Sequence, residues 1–402
     1  MSLRPRTSLP LWVFLLMPAC GGDDAGDDAA DASTGGSTSA PGSSEDDGSG
    51  SSTAADSGSS DGGSSTTGAG SDVPEFGATL VDIATADHGL AVPRDLEFAP
   101  EHPEQLWVVN GAIHGVVIIT DPGLPSQTAE VRVDAYGQHF MSYVSSLAFG
   151  VGNRFSSCQE SRDDWNVGPQ RPDDFMGPTL WSADLDIFAA VNQDFPPNPL
   201  EGSHLDMLHQ SPLCMGIAHE SDNVYWAFDG GNGHIVRYDF QMDHGPGGAS
   251  HADGVIRRYL NAVVTRVPEI PGHLVLDPDS RRLYIADTGT GRVMWLDIDS
   301  GASNGPLPNN WDGATEYSGY DGATFEPLVG GGLQQPSGLA LHDGRLLVSD
   351  AATGEIVAFD LDGNELGRMS TDAQAIMGLA VGPDAKLYFT DGFGNRVVRV
   401  DP

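Results

Sequence analysis

The sequence predicts an all-β fold, a six-bladed β-propeller that follows a signal segment and a long polar linker. Three observations carry this prediction. One pattern of short strands recurs six times between residues 92 and 402. Each unit is rich in β-branched and aromatic residues separated by turn residues, and none contains an apolar stretch of helical period. Small sheets repeated radially make a propeller, so the repeat indicates this fold.

The first twenty residues have the features of an export signal. Arg4 and Arg6 precede an apolar run over residues 9–19. As a helix this run would be about 16 Å long, whereas the hydrocarbon core of a bilayer is about 30 Å thick. The run therefore predicts a signal peptide over residues 1–19 and not a membrane helix.

The residues around Cys20 resemble a bacterial lipobox. Ala19 precedes the cysteine and Gly21 follows it. In that motif the cysteine thiol receives a diacylglyceryl group, so the resemblance implies lipidation of Cys20 and a membrane anchor. Because no Asp follows the cysteine, it also implies the outer membrane, on its periplasmic or its cell-surface side. The alternative is an ordinary secretory signal with a chance cysteine.

Residues 20–72 have the composition of a tether. After Cys20 the segment consists almost entirely of Gly, Ser, Thr, Ala and Asp, with no Lys, Arg or aromatic residue. Such a segment cannot bury enough apolar surface to offset the entropy lost on ordering. We therefore expect a disordered linker with a reach of about 40 Å or more. The propeller domain is then residues 73–402.

The charge of the chain bears on its partners. Acidic residues outnumber Lys and Arg by 57 to 19, which gives a formal net charge of −38. A field of this sign repels a phosphate backbone, so we expect no nucleic-acid partner. A solvated surface on an exported protein accounts for the charge equally well.

The cysteines allow one disulfide. Once Cys20 is assigned to lipid, Cys158 and Cys214 remain as an even pair in an oxidising compartment. Such a pair predicts a disulfide. The blade assignment places Cys158 after the first strand of the second blade and Cys214 before the first strand of the third. This assignment places the two cysteines on opposite faces of the propeller. A disulfide between them therefore requires the intervening insertion to cross a blade edge.

The last two units show the repeat most clearly. Residues 336–341 read Pro-Ser-Gly-Leu-Ala-Leu, residues 345–350 read Arg-Leu-Leu-Val-Ser-Asp, and residues 356–360 read Ile-Val-Ala-Phe-Asp. The same order recurs over 377–401. We expect the Asp that closes each second strand to accept backbone N–H groups of the following turn, which is a structural role.

This pattern resembles the NHL repeat, and the resemblance covers essentially residues 92–402. It implies a propeller and does not specify an activity. Because the last unit stops at its third strand, residues 78–84 are expected to supply the outer strand of the last blade and to remove an open edge.

In propellers of this kind the first strand of each blade lines the central channel. The residue before the aligned aliphatic position then lies near one channel mouth. Glycine and serine predominate there, and we expect them to leave that mouth open. The six residues are Asp95, Ser146, Gly216, His273, Gly338 and Gly378.

Arg94, Asp95 and His273 are the candidate ligand-binding residues of that mouth. NHL-like lyases that act on peptidylglycine hold zinc with several axial histidines, and only His273 stands at that register here. Sugar-lactone hydrolases of similar shape use Glu, Asn and Asp at the axis, and their opening Glu-Gly-Pro is not found.

Histidines are dense between residues 204 and 273, which contain seven of the twelve. His244 and His251 lie in a Gly- and Asp-containing loop that we expect on the same face as His219. Imidazole and carboxylate together suit a divalent metal, zinc or copper, and calcium is also considered. These three histidines are therefore a candidate metal site. Surface loop histidines without a metal are the alternative.

A long insertion, residues 150–178, is placed within the second blade. It contains Phe155 and Trp165 and four acidic residues. Long ordered loops on propellers commonly form binding surfaces, and a solvated loop is the alternative. The four acids are Asp163, Asp164, Asp173 and Asp174.

Two functions remain open from the sequence. One is a membrane-tethered extracytoplasmic propeller that binds a protein or a small-molecule ligand, or serves as a scaffold. The other is a secreted metal-dependent lyase or hydrolase with its site at the channel mouth. The propeller fold supports many different functions, so the fold alone does not distinguish between these two.

Overall fold

The computed structural model describes residues 73–162, 176–194, 200–248 and 250–402. The expected signal peptide, Cys20 and the expected linker lie outside the described residues. So do Trp165 and the four acids of the insertion. Within the described residues the chain is almost entirely β, and its strands form six sheets around a central channel. The predicted six-bladed β-propeller is confirmed.

The last blade is closed by the first strand of the chain. Strand β1 (Thr79–Ala84) pairs antiparallel with the final strand, from Thr79 opposite Asp401 to Ala84 opposite Val397. This joins the two ends of the propeller and leaves no open edge between them. The predicted closure by residues 78–84 is confirmed.

The blades follow one another in chain order, and each has its first strand nearest the axis. Blade 1 consists of β2 (Pro93–Ala99), β3 (His102–Asn110), β4 (Gly115–Thr120) and β5 (Thr128–Arg132). Blade 2 consists of β6 (Val144–Phe149), β7 (Arg154–Gln159), β8 (Thr179–Ser182) and β9 (His204–Met207). Blade 3 contains β10 (Cys214–Ser221), β11 (Val224–Asp229), β12 (His234–Asp239) and β13 (Val255–Val263).

Blade 4 interrupts its own sheet with a hairpin that belongs to blade 3. After β14 (Leu274–Asp277), β15 (Arg282–Asp287) and β16 (Arg292–Asp297) the chain forms β17 (Ala302–Pro306) and β18 (Glu316–Asp321) before it returns as β19 (Phe325–Val329). Strand β18 runs parallel to β13, so blade 3 becomes a six-stranded sheet. Tyr317 of β18 is buried in the core beside Tyr238, which fixes the hairpin there.

Blades 5 and 6 are regular. Blade 5 consists of β20 (Pro336–His342), β21 (Arg345–Asp350), β22 (Glu355–Asp360) and β23 (Glu365–Ser370). Blade 6 consists of β24 (Ile376–Val381), β25 (Leu387–Asp391), β26 (Arg396–Asp401) and β1. The helical elements described are α1 (Gly137–Phe140) and the 3₁₀ turns Ala86–His88, Gly111–Ile113 and Thr288–Thr290. No helix among the described residues is both long and apolar enough to cross a membrane.

The Asp that ends the second strand in blades 3 to 6 has the structural role that was expected. Asp391 is buried and accepts N–H bonds from Gln374, Ala375 and Gly394. Asp350 does the same in blade 5 for three backbone amides. These carboxylates satisfy turn amides that the sheets leave without partners.

Large side chains fill the layers between blades. Between blades 1 and 2, Trp107 meets Phe149 and Phe155 edge to face, with ring centroids 5.4 and 5.3 Å apart. All three are buried. Packing of this kind holds neighbouring blades at a fixed angle, so the channel is a rigid feature.

The structure corrects the assignment of blade 2. The insertion predicted over residues 150–178 put the second strand of this blade after Pro178, but the second strand is β7 and residues 179–182 form the third. The interruption therefore begins after Gln159 and not at Gly150. Strand β7 reads Arg-Phe-Ser-Ser-Cys-Gln and lacks β-branched residues. The sequence therefore did not indicate a strand at this position. Its serines are satisfied within the blade, since Ser156 donates to the Thr179 carbonyl and Ser157 accepts from Trp181 Nε1.

The same correction explains how the cysteines meet. Cys158 lies near the end of β7, opposite Ser146 at the start of β6, and Cys214 begins β10. Both therefore lie at the same end of the propeller. The structure joins their Sγ atoms in a disulfide with the Cα atoms 5.2 Å apart. The bridge links blade 2 to blade 3 without crossing a blade edge.

Candidate functional site: the central channel

The channel contains a cavity of about 370 Å³ lined by the first strands of all six blades. At the aligned position each blade has one large aliphatic residue that borders the cavity and packs into the buried layer between two blades. These six residues are Leu96, Leu147, Ile217, Leu274, Leu339 and Leu379. Polar atoms make up more of the cavity surface than apolar atoms, and a concave pocket of this size is typical of a small-molecule site.

One end of the channel is closed. A Cβ built on Gly216 would lie 2.1 Å from the Gly272 carbonyl oxygen, and one on Gly378 would lie 2.7 Å from Asp95 Cα. The inner strands also bond to each other here, since the His273 amide donates to the Ser337 carbonyl at 3.0 Å. The expectation that glycines leave this mouth open was wrong, because they let the strands approach and seal it. The channel opens at the opposite end, near Phe98 and Leu276, where side chains are only half-buried.

Asp95 and His273 meet at the closed end and form the polar floor of the cavity. His273 Nδ1 lies 3.4 Å from Asp95 Oδ2, and both side chains are almost fully buried. The other imidazole nitrogen, Nε2, lies 3.1 Å from the Arg94 carbonyl oxygen. Asp95 also accepts from the backbone amides of Leu96 and Leu147, at 2.9 and 3.0 Å. The two residues that the sequence placed across the axis are therefore in contact.

Arg94 lies beneath this floor. Its guanidinium donates to Glu160 at 2.5 Å and to the Tyr143 carbonyl at 2.9 Å. Glu160 is shared with Arg266 at 2.8 Å. Arg94 therefore takes part in an ion-pair network and is absent from the residues that line the cavity. Of the three candidates, only Asp95 and His273 line the channel.

Glu97 is a channel residue that the sequence reasoning missed. It follows Asp95 by two positions on β2, and its carboxylate accepts from the Phe149 amide of blade 2 at 2.8 Å. The equivalent positions of blades 2, 3, 5 and 6 hold alanine, so Glu97 is the only acid of that ring. The signal was available in the alignment of the six units: one Glu among small apolar residues at a channel-facing position.

Burial sets the protonation of these groups. Desolvation in the channel raises the pKa of Asp95 to about 8 and that of Glu97 to about 8, although backbone amides oppose the shift. Desolvation lowers the pKa of His273 to about 4. At neutral pH the floor is therefore predominantly a neutral imidazole beside a protonated carboxyl group. A cation placed here would favour the ionised carboxylates.

The three histidines proposed as metal ligands do not form one group. His219 lines the channel on β10, and its Nε2 lies 3.0 Å from the Asp222 carbonyl oxygen. His244 and His251 lie at the periphery and both approach Asp206 of β9, at 3.7 and 2.5 Å. The expected triad of His219, His244 and His251 was wrong, because β10 and the loop after β12 present them to different neighbours.

Asp206 and Asp253 complete the peripheral group. Among the described residues, Asp206, His244 and Asp253 form the one set of three such side chains whose ligand atoms all lie within 4.8 Å of one another. We name these three residues the peripheral cluster. Asp206 was not singled out from the sequence because it comes from β9, far from the loop in the chain.

Comparison with known proteins supports the fold alone. No protein-family model matches the chain, and no curated protein matches its sequence. A putative phosphatase from Bacteroides thetaiotaomicron is similar in structure, with a TM-score of 0.50 and 10% identity over 77% of this chain and 71% of that one. An auxiliary nutrient binding protein from the same organism has a TM-score of 0.48 and 11% identity, over 78% and 69%. Virginiamycin B lyase from Staphylococcus aureus has a TM-score of 0.44 and 11% identity, over 81% and 85%.

Proposed function

We propose that this propeller is a binding module of an exported, membrane-tethered protein, and that its ligand is a small molecule held in the central channel. The observation that carries the proposal is the channel itself: the inner strands of all six blades line a cavity of about 370 Å³ that is closed at one end by Asp95 and His273. A blind pocket with convergent polar groups suits retention of a ligand.

The polar groups favour an amine. Asp95 and Glu97 have no cationic partner within the channel, and burial keeps their carboxyl groups protonated at neutral pH. A ligand ammonium group would pair with a carboxylate and repay the cost of ionising it. An anionic ligand would be repelled by the field of a protein whose net charge is −38. The expected ligand therefore carries one basic nitrogen.

A matched series of ligands tests this proposal. Calorimetric titration compares 2-phenylethylamine, 2-phenylethanol and phenylacetate, which share one apolar body and differ in charge. We expect the amine to bind most tightly and phenylacetate most weakly. Because Glu97 or Asp95 must lose a proton when the ammonium group binds, amine binding near pH 7 should release protons, which the buffer dependence of the heat measures. Equal affinity for all three would contradict the amine preference.

Two variants locate the binding site. Val275→Phe enlarges a half-buried channel residue of blade 4, the blade that faces Glu97 across the axis, without touching the polar floor, and it should abolish binding. Glu101→Gln is the control, since Glu101 is an exposed acid on the same blade, and it should leave binding unchanged. If the channel-filled variant binds as well as the wild type, the ligand lies elsewhere.

The membrane tether is proposed through lipidation of Cys20. Supporting it are the short apolar run over 9–19 and the lipobox-like Ala19-Cys20-Gly21. Each acyl methylene that is buried in the bilayer adds about 0.8 kcal/mol to the free energy of membrane binding. Several acyl chains together are therefore enough for stable anchoring. Cys20→Ser should move the protein from the membrane pellet to the soluble fraction after detergent-free lysis. A variant that still sediments with membranes would exclude this anchor.

The alternative, a metal-dependent lyase or hydrolase at the channel mouth, needs several convergent ligands in the channel. Within the described residues the one three-membered ligand set is the peripheral cluster and not the channel. The binding module is therefore the function that the geometry supports.

A further inference from the structure

We propose that the peripheral cluster is a binding site for a divalent transition-metal ion of the zinc class, which fastens the loop after β12 to the outer strand of blade 2. The inference goes beyond the proposed channel function and does not depend on it. It rests on residues from two blades that converge at one point, and on an unused oxygen atom at that point.

Asp206 supplies the first ligand. Its side chain is fully buried, and its Oδ1 already accepts from His251 Nδ1 at 2.5 Å and from the Met207 amide at 2.7 Å. Its Oδ2 is buried and has no hydrogen-bond partner. A buried carboxylate oxygen without a donor costs free energy, and a cation would remove that cost.

The loop supplies the other two ligands. His244 Nε2 lies 3.7 Å from that unused oxygen and 2.8 Å from Asp253 Oδ1. Two carboxylate ligands carry two negative charges, which a divalent ion would neutralise. Nitrogen and carboxylate oxygen are both ordinary zinc ligands. His244 and Asp253 are partly exposed, at 21% and 33%, so water can reach the ion and complete its coordination.

The surroundings hold the ligands in place. The His244 amide donates to the Leu205 carbonyl at 3.2 Å, and the Gly247 amide donates to the His204 carbonyl at 2.8 Å. At the start of the loop Asp243 pairs with Arg154 at 2.5 Å. His251 orients Asp206 from behind, which is the arrangement by which outer hydrogen bonds fix a metal-binding carboxylate. The loop is therefore docked on blade 2 with its two ligands facing Asp206.

The full-length protein, purified in detergent and stripped with a chelator, is titrated with zinc alone by calorimetry, and metal content is measured by mass spectrometry after gel filtration. His244→Gln and Asp253→Asn should each weaken the affinity for zinc by roughly tenfold or more. Each variant should also carry one zinc ion fewer per chain after gel filtration. His102→Gln is the matched control, because His102 is also exposed and lies 3.3 Å from an acid, Glu104. The control should retain wild-type binding.

Cobalt supplies a second readout that does not depend on affinity. The visible spectrum of bound cobalt reports nitrogen and oxygen ligands, and we expect it in the wild type and the His102→Gln variant but not in His244→Gln. Unchanged circular dichroism of each variant shows that the fold is intact. Wild-type zinc stoichiometry and affinity in both cluster variants, or a wild type that binds no zinc, would overturn the proposal.

Discussion

The central channel and the peripheral cluster are built from opposite parts of the sequence. The channel uses one equivalent residue from each of six repeated strands, from Leu96 in blade 1 to Leu379 in blade 6. The cluster uses interruptions of the repeat: Asp206 follows a long connection within blade 2, and His244 and Asp253 lie in the loop between β12 and β13. The repeat therefore determines the shape of the cavity, whereas the departures from it bring together most of the charged chemistry.

The largest expected effect is on the element that both regions require, the closed ring. Deleting residues 73–84 removes β1, with Ile83 and Ala84 buried against blade 6, and also buried Val73. Each large apolar side chain contributes about 1.5–3 kcal/mol on burial, so the loss should reach several kcal/mol. Thermal melts measure it, and the bare edge of β26 should also promote aggregation.

A second truncation is the control for this result. Deleting residues 21–72 should leave the melting temperature nearly unchanged, because a segment of that composition contributes no core. If the two truncations melt alike, β1 does not close the ring.

The disulfide tests the link between blades 2 and 3, on which the peripheral cluster lies. Replacing both Cys158 and Cys214 by Ala opens a loop with a sequence separation of 56 residues. We expect a loss of about 3–4 kcal/mol in the free energy of unfolding, measured by denaturant titration. Non-reducing peptide mapping of the wild type that finds two free thiols would contradict the bridge.

The closed floor of the channel predicts a smaller effect from one methyl group. Gly216→Ala would place a Cβ 2.1 Å from the Gly272 carbonyl oxygen, so the inner strands must separate, at a cost of about 1–3 kcal/mol. Gly330→Ala is the matched control, since a Cβ there meets nothing within 4 Å. Equal stability of the two variants would mean that the glycines do not seal the channel.

Glu97 also makes the stability of the fold depend on pH. Its native pKa of about 8 lies above the ordinary value near 4.5, so the folded state keeps a proton that the unfolded state loses. Stability should therefore fall as pH rises between about 4.5 and 8. Glu97→Gln should lessen this fall, and melting temperatures at pH 5 and pH 8 measure it. A variant with an unchanged pH slope would contradict the burial of a protonated carboxyl.

The fold was predictable because its signal is local and repeated. Strand residues and turn aspartates such as Asp350 and Asp391 recur at fixed spacing, and the missing last strand pointed to residues 78–84. Strand β7 was missed because its Ser and Cys residues are packed through tertiary contacts with β8. The β17–β18 hairpin was missed because its pairing with blade 3 is non-local.

The candidate site was predictable in part for the same reason. The register of the repeat correctly predicted that Asp95 and His273 lie at the axis, but it could not predict the distance between them. The inner strands approach closely at Gly216 and Gly378, so the end of the channel that was expected to be open is closed. Of the peripheral cluster, His244 alone was a candidate ligand from the sequence. Asp206 approaches it only because the loop after β12 docks on β9.

Anomalous diffraction from crystals soaked with zinc and a bromine-substituted 2-phenylethylamine tests both regions in one measurement. The account predicts a bromine peak inside the channel, with the amine directed to Glu97 or Asp95. It predicts a separate zinc peak between Asp206, His244 and Asp253. A channel that stays empty while bromine binds only at the outer surface would contradict the central claim that this propeller holds its ligand on the axis.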